Sequence, residues 1–503
     1  MLTAITFVPM IGAALALAVR GSARTTRLIA LTTVLAELGL TISMYVIFNA
    51  QGDTYQFVQR APWVSAFGIE FLMGVDGLSA PLVLLNGILG VAAVLVSWRV
   101  ETRVREYFMW LLLLQGAVMG VFASLDMILF FIFWELELVP MFFLISIWGT
   151  GRKDYSAMKF LLFTFLGSAF MFAAILALYF SFPAGERTFD MTALIHKDLT
   201  NLIVPSSLVF SGFLVAFAVK LPIVPLHTWL PDAHTDAPTA VSVMLAGVLL
   251  KMGGYGLLRI NAGMFPDELA AAAPLLAVLA VVNVLYGAFI VMRQTDLKRL
   301  VAYSSVSHMG FVVLGLASVG AGTAQLDGTG LNGAAMQLFT HGTITGLLFV
   351  VVGLVYDRAH TRHIADMGGL SGRMPLIAVG FMIAGLASLG LPTTSGFVAE
   401  IMVFLGTFPA YGLATALSAF GVVLAAGYIL WTAQRTMFGP PLERWAHLED
   451  ATRVDVAAMG VLIVPIFVFG VYPALLTDVF DAGIAPIIAS FAEGASLVAG
   501  QGG

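Results

Sequence analysis

Nine ionisable side chains lie where the surrounding sequence is apolar: Glu37, Glu135, Glu137, Lys220, His227, Lys251, His308, His341 and Glu400. Carboxyl, amine and imidazole groups take up and release protons, and a line of single charged groups suits protons better than a pocket for a larger solute. Each charge held at mid-membrane costs about 2.5–3.5 kcal/mol on insertion scales, so a chain that keeps several must pair them, hydrate them or use them. Glu135 stands in FIFWELELVPMFF, near the centre of its apolar run, and Glu137 follows two residues on. On a helix that spacing points the two carboxylates to nearly opposite sides, so only one can face a common axial path. The plainer reading of Glu135 is a carboxylate satisfied by a neighbouring helix. Glu37, two turns inside its own run, has the same alternative.

Lys220 is followed by Pro222, Pro225 and His227 in VKLPIVPLHTW. Proline removes a backbone donor and frees the carbonyl four residues before it, so two prolines three residues apart predict a helix opened at mid-depth. Irregular backbone survives there only inside protein or against water, which gives a neighbouring lysine dipoles and hydration. A kink with a snorkelling lysine is the bland reading, and Lys220 lies too deep for it. Lys251, thirteen residues after Pro238, is again deep. His308 in AYSSVSHMGFV and His341 in QLFTHGTITG are flanked by hydroxyls, which suit a hydrated path as well as a hydrogen bond between helices. Glu400 follows a second interruption, Pro392-Thr393-Thr394-Ser395-Gly396. Two interrupted spans about 170 residues apart, one in each half, point to a transporter built from internal repeats.

The elements that must position these groups follow from composition. The 503 residues are 60% hydrophobic and 11% charged, against about 25% charged in a soluble protein. Mean hydropathy is +0.97. Apolar runs of about 20 residues, each able to cross ~30 Å of hydrocarbon, recur throughout. A soluble multidomain enzyme is excluded. The expected fold is an all-α polytopic membrane protein of about fourteen spans, at roughly 2–19, 28–49, 78–98, 107–123, 127–148, 160–181, 203–228, 238–258, 269–291, 300–320, 334–356, 374–408, 411–434 and 455–475. Residues 2–19 read as the first span, since no basic segment precedes them and no cleavage site follows. Taken in alternate loops, starting after the first span, eighteen of the 24 Lys and Arg residues fall on one side, among them Arg20, Arg99, Arg152, Lys298 and Arg362. The other side holds Arg60, Arg187, Lys197 and Arg259. The positive-inside rule then puts both termini on the outer face, with 50–77 and 182–202 as the long outer loops. Residues 1–503 form a single membrane domain, and spans 4–8 (107–260) and 9–13 (268–438) make two five-helix repeats. Five is odd, so the second is inverted relative to the first.

Cysteine is absent, which removes disulfides, thiolate metal sites and Fe–S ligation. No Walker loop occurs, and Gly253-Gly254-Tyr255-Gly256 lies in an apolar run where it serves close helix packing. A net charge of −5 does not suggest nucleic acid. No cofactor or metal is expected in the chain itself.

Four stretches carry a resemblance: FFIFWELELVPMFFLI, AFAVKLPIVPLHTWLPDAHTDAPTAVSV, LAGVLLKMGGYGLLR and LKRLVAYSSVSHMGFV. With them the chain resembles, over essentially its whole length, the antiporter-like membrane subunits of respiratory complex I, a family shared with Mrp-type antiporters and membrane-bound hydrogenases. The resemblance implies a proton relay of Glu135, Lys220, Lys251, His308 and Glu400, with His227 and His341 as connecting groups. It also implies discontinuous seventh and twelfth helices. A glutamate at position 400, where sister subunits carry lysine, selects one type within the family. Glu137 lies outside the family pattern. In the implied mechanism Lys220 paired with Glu135 holds its proton, and separation of the pair releases it along the axis. The driving energy comes from partner subunits that carry flavin, Fe–S clusters and the quinone site, so this chain is a non-redox subunit of a translocase. Neighbouring antiporter-like subunits and the lipid bilayer are its implied surroundings. An Mrp-type Na⁺/H⁺ subunit and a hydrogenase-linked subunit are the alternatives within the family; a stand-alone permease and a structural scaffold are those outside it. The frequent Ala, Gly and Arg favour a bacterial plasma membrane.

Overall fold

The computed structural model describes residues 1–19, 21–199, 202–321 and 327–501; Arg20, one of the basic residues used above, lies outside the described residues. Among these, eleven helices are long and apolar enough to cross a membrane, and four shorter apolar helices, Leu2–Ala18, Ala80–Val96, Ser206–Lys220 and Pro375–Ser388, stand among them. Helices with large exposed side chains such as Val46, Leu162, Phe165 and Leu413 form the periphery, where hydrocarbon rather than water meets them. Three of the eleven are enclosed almost completely: Thr239–Ala262, Leu297–Gly320 and Thr329–Ala359. These carry Lys251, His308 and His341.

The helix Ser206–Lys220 stops at Lys220 and resumes as Trp229–Asp236. Backbone freed by Pro222 and Pro225 needs partners, since an unpaired buried group costs about 1–3 kcal/mol. Asn283, from the helix Pro266–Val291, supplies them. Its Oδ1 accepts from Val224 N at 2.7 Å, and its Nδ2 donates to Pro222 O at 3.1 Å and to Val306 O at 3.4 Å. The second interruption separates Pro375–Ser388 from a helical stretch Ser395–Thr436. Gly390 and Thr393 between them have φ of +75° and +80°, the left-handed region that a helix cannot contain. The Ser395–Thr436 stretch turns at Tyr411 (φ −137°, ψ 61°), two residues after Pro409, where the sequence divides its twelfth and thirteenth spans.

Two elements depart from the all-α expectation of fourteen spans. Gln56–Val64 and Ile69–Val75 pair as an antiparallel hairpin with Arg60 opposite Leu72, inside what reads as an outer loop. A further helix, Ala474–Gln501, extends well beyond the last expected span. It lies across helix ends: Asn332 Nδ2 donates to Asp481 at 2.9 Å, and Tyr45 OH donates to Leu475 O at 2.5 Å. Gly483 meets Gly77–Leu78 backbone to backbone, where a Cβ on either glycine would collide.

Candidate functional site

Lys220, the last residue of its helix, is 1% exposed and forms an ion pair with Glu137, which is 0% exposed. The rings of Trp134 and Phe160 lie 5.3 and 5.5 Å from its ammonium. The expected partner was Glu135; the pair goes to Glu137 instead. The reason is local. Pro140 cannot donate to the Leu136 carbonyl, and the span divides there into Met127–Leu136 and Leu138–Trp148, with Glu137 at the joint. Glu137, at this joint, faces inward onto Lys220. Glu135 is only half-buried, its Oε1 makes no hydrogen bond, and Lys220 remains within its electrostatic reach.

Gly253, in the helix of Lys251, packs directly on Phe217 O and Leu221 N at the end of the Lys220 helix. Lys251 is fully buried. The backbone around it is locally π-helical over Leu245–Leu249, and its Nζ donates to the Ala246 carbonyl in that turn. The same Nζ lies 2.7 Å from His341 Nδ1. This contact joins an ionisable group of the chain's first half to one of the second. The His341 and His308 rings are 5.8 Å apart. His308 Nε2 lies 3.1 Å from Ser388 Oγ and its Nδ1 3.6 Å from Glu400 Oε1. Gln337, Thr340, His308, His341, Ser388 and Glu400 wall a cavity of about 10 Å³, roughly what one water needs. Tyr428, buried with an unpartnered hydroxyl, lies close enough to Glu400 to feel its charge.

Two expected groups stand apart from this row. His227 sits in the broken segment against Tyr286, with ring centroids 5.3 Å apart, and its Nδ1 makes no hydrogen bond. Glu37 is fully buried in a separate cluster, accepting from Gln115 Nε2, while the Gln115 carbonyl accepts from Asn86 at 3.1 Å. Sequence reasoning missed Asn283, Gln115 and His234. The signal for Asn283 was a lone amide inside an apolar run. His234 lay within the most distinctive stretch of the resemblance. Lys298 was read only as an orienting loop charge, yet it is 4% exposed.

Fold and site together define a polytopic helical membrane protein with acid–base groups strung through its interior. The family model described as "NADH:quinone oxidoreductase/Mrp antiporter, TM" matches residues 124–426. NADH-quinone oxidoreductase subunit M of Rhodobacter capsulatus is 39% identical over 508 residues, covering 98% of this chain and 97% of that one. NAD(P)H-quinone oxidoreductase chain 4 of Acaryochloris marina is 42% identical, covering 90% and 84%. A chain of respiratory complex I from Thermus thermophilus superposes with a TM-score of 0.87 at 29% identity, covering 98% and 99%. A chain of the Mrp complex from Dietzia shares the fold, with a TM-score of 0.84 at 20% identity and 97% coverage of each. The chain belongs to the NADH:quinone oxidoreductase/Mrp antiporter transmembrane family.

Proposed function

We propose that this chain is a proton-translocating membrane subunit of an NADH-quinone oxidoreductase, of the subunit M or chain 4 type. Its neighbours are other subunits of that complex, especially antiporter-like ones, and the flavin, Fe–S clusters and quinone site reside in those partners. It crosses a bacterial plasma membrane about fourteen times, with both termini on the periplasmic side. The repeats at 107–260 and 268–438 are inverted relative to each other and broken at their seventh and twelfth helices. The chain has no catalytic centre of its own.

The observation that carries this reading is the 2.7 Å contact between Lys251 and His341, which makes one row of groups from the two halves. Glu135, Lys220, Lys251, His308 and Glu400 form the relay, with His341 linking Lys251 to His308 and His227 beside the first break. Lys220 is served by two carboxylates. Glu137 holds its proton in the arrangement described, and Glu135, with a free acceptor oxygen, is the partner it meets when that pair opens. Loss of the Glu137 contact lets Lys220 pass its proton toward Lys251, and the cavity beside Glu400 admits the water that completes the transfer. Moving one charge through 100 mV takes about 2.3 kcal/mol, and a pKa change of about two units supplies that much.

The test is to isolate the tagged chain from its native membrane and reconstitute what accompanies it. An NADH-oxidising, quinone-reducing assembly that takes up protons is expected, and neutral replacements at Lys220 and Glu400 are expected to abolish that uptake. Isolation without quinone reductase, together with Na⁺/H⁺ exchange independent of NADH, would replace this reading with the Mrp-type one.

A further inference from the structure

Glu37 has no part in the row above. It stands near the middle of the helix Ala23–Ile47 and is 0% exposed. Three helices pack against that one, Leu2–Ala18, Ala80–Val96 and Val104–Ala123, and none brings a charge to it. The first two contain no ionisable side chain, and the third has only Arg105, Glu106 and Tyr107, in its first turn. Arg24, Arg27 and Tyr45 lie toward the ends of Glu37's own helix. Among the described residues no ion pair reaches the carboxyl.

Its neighbours are amides and a hydroxyl. Glu37 Oε2 accepts from Gln115 Nε2, and Oε1 has no partner. Asn86 Nδ2 donates to the Gln115 carbonyl at 3.1 Å, while the buried Asn86 Oδ1 has no partner either. The hydroxyl of Thr6, whose carbonyl meets Gly116 beside Gln115, is unpartnered as well. The cluster is short of donors. A carboxylate buried without a counter-charge is far costlier than a neutral acid, and each unmade acceptor adds to the cost. A proton on Oε1 removes the charge and supplies a donor, and Asn86 Oδ1 is an acceptor that lacks one.

The helix Ala80–Val96 joins this cluster to the centre of the row. Leu85 fills the space over Gly342, next to His341, and Leu89 fills that over Gly247 and Gly346. Gly247 belongs to the π-helical turn whose Ala246 carbonyl accepts from Lys251. On its other side the same helix presents Gly87 to Thr41 and Gly90 to the Gln115 side chain, with no room for a Cβ at either. It is clamped between the surroundings of Glu37 and both partners of the Lys251–His341 contact.

We propose that Glu37 binds a proton and that this neutral carboxyl, outside the relay, is a positioning residue for the contact between Lys251 and His341. The positioning role rests on the proton-translocating reading; the bound proton does not. With the proton in place, the carboxyl donates to Asn86 and accepts from Gln115, which ties three helices together and seats Leu85 and Leu89. Loss of the proton leaves a charge that water must reach, and the helix Ala80–Val96 shifts to admit it, drawing the two leucines off Gly342 and Gly247. Only an O–H bond forms or breaks.

Infrared absorption of the assembled complex, with the Glu37→Gln complex subtracted, reads the proton directly. A carboxylic-acid C=O band at neutral pH is expected; the paired bands of a carboxylate in its place overturn the proposal. Glutamine has the shape of the neutral acid and can donate as well as accept, so failure of that variant to assemble overturns it too. Glu37→Leu cannot bond to Gln115 or Asn86 and is expected to lower NADH-driven proton uptake in reconstituted vesicles about tenfold. Glu37→Gln is expected to restore it, and to remove the part of the decline with rising pH that ionisation of Glu37 causes in the unaltered complex. Should Glu37→Leu not assemble, Leu89→Ala loosens the same seat from the other side of the helix and carries the same expectation. Full uptake in these apolar variants, or uptake in Glu37→Gln no better than theirs, overturns the positioning role. Lys220→Met separates that result from a failure of the proton-translocating reading. Normal uptake in Lys220→Met sets that reading aside and leaves the infrared result standing.

Discussion

Lys220 and Glu400 both stand beside an interrupted helix, yet their surroundings differ in kind. Lys220 is closed in: a carboxylate pairs with it, two aromatic rings cover it, and Asn283 ties down the broken backbone. Glu400 faces an imidazole and hydroxyl groups, with His308 Nδ1 3.6 Å away and room for a water beside it. A buried ion pair is held by mutual charge and fails when either partner is lost. A carboxyl group among hydroxyls and imidazoles can gain or lose a proton without leaving a counter-charge stranded. The comparison assigns the lock to the first half and the carrier to the second.

The largest effect is expected where that lock is broken. Lys220→Met leaves Glu137 buried without a counter-charge and should destabilise the fold by about 3–5 kcal/mol. Adding Glu137→Leu should recover assembly, measured by native electrophoresis, without recovering proton uptake. A single variant as stable as the parent would remove the ion pair from the account. Next comes Asn283→Leu, which strands Val224 N–H and Pro222 O at about 1–3 kcal/mol for each buried group. Thermal unfolding should show this loss, and Asn283→Gln should restore only part of it.

Glu400→Gln should behave differently. Its melting temperature is expected to stay within the range of about 1 kcal/mol, since glutamine keeps a hydrogen-bonding group at this place and strands no buried lysine, while proton uptake falls roughly tenfold or more. A stability loss as large as that of Lys220→Met would erase the contrast between the halves. The smallest effect lies at Asp126, which caps the helix bearing Glu135 by accepting from Ile128 N and Leu129 N at 2.9 and 3.0 Å. Burial pushes its carboxyl above the ordinary carboxylate range, partly opposed by its hydrogen bonds from the backbone. The folded form therefore binds that proton more tightly than the unfolded one. Its contribution to stability is present at low pH and lost as pH rises through the raised value. Asp126→Asn keeps the cap and should flatten this slope at a cost of about a few tenths of a kcal/mol or none at neutral pH, read from melting curves between acid and neutral pH.

Much of this arrangement was legible in the residues. Pro222 and Pro225 located the break after Lys220, and Pro392 with its small polar neighbours located the one before Glu400, because proline's missing donor acts within one turn. The choice between Glu135 and Glu137 was not legible. The two stand two residues apart on one apolar run, and which of them meets Lys220 is set by how Met127–Leu136 and Leu138–Trp148 pack against the helix of Lys220. Asn283 stands out as a lone amide in an apolar run, but the break it serves is in a distant helix, so the sequence does not say which groups it satisfies. Lys298 resembled any basic residue at a helix start; only the fold, which turns its amine onto the Ala237 carbonyl, buries it. The hairpin lies in a mixed polar and apolar loop where hydropathy has no long run to reveal it, whereas Ala474–Phe491 is itself apolar enough to cross a membrane and could have been read from its hydropathy.

The central claim is that the two halves form one path, and Lys251 is where they meet. Lys251→Met in the assembled complex leaves both the Lys220–Glu137 pair and the His308–Glu400 set in place and removes the contact to His341 together with the hydrogen bond to the Ala246 carbonyl. Proton uptake linked to NADH oxidation, measured in reconstituted vesicles, is predicted to fall roughly tenfold or more while assembly is kept. Uptake equal to that of the unaltered complex would contradict a path through this contact.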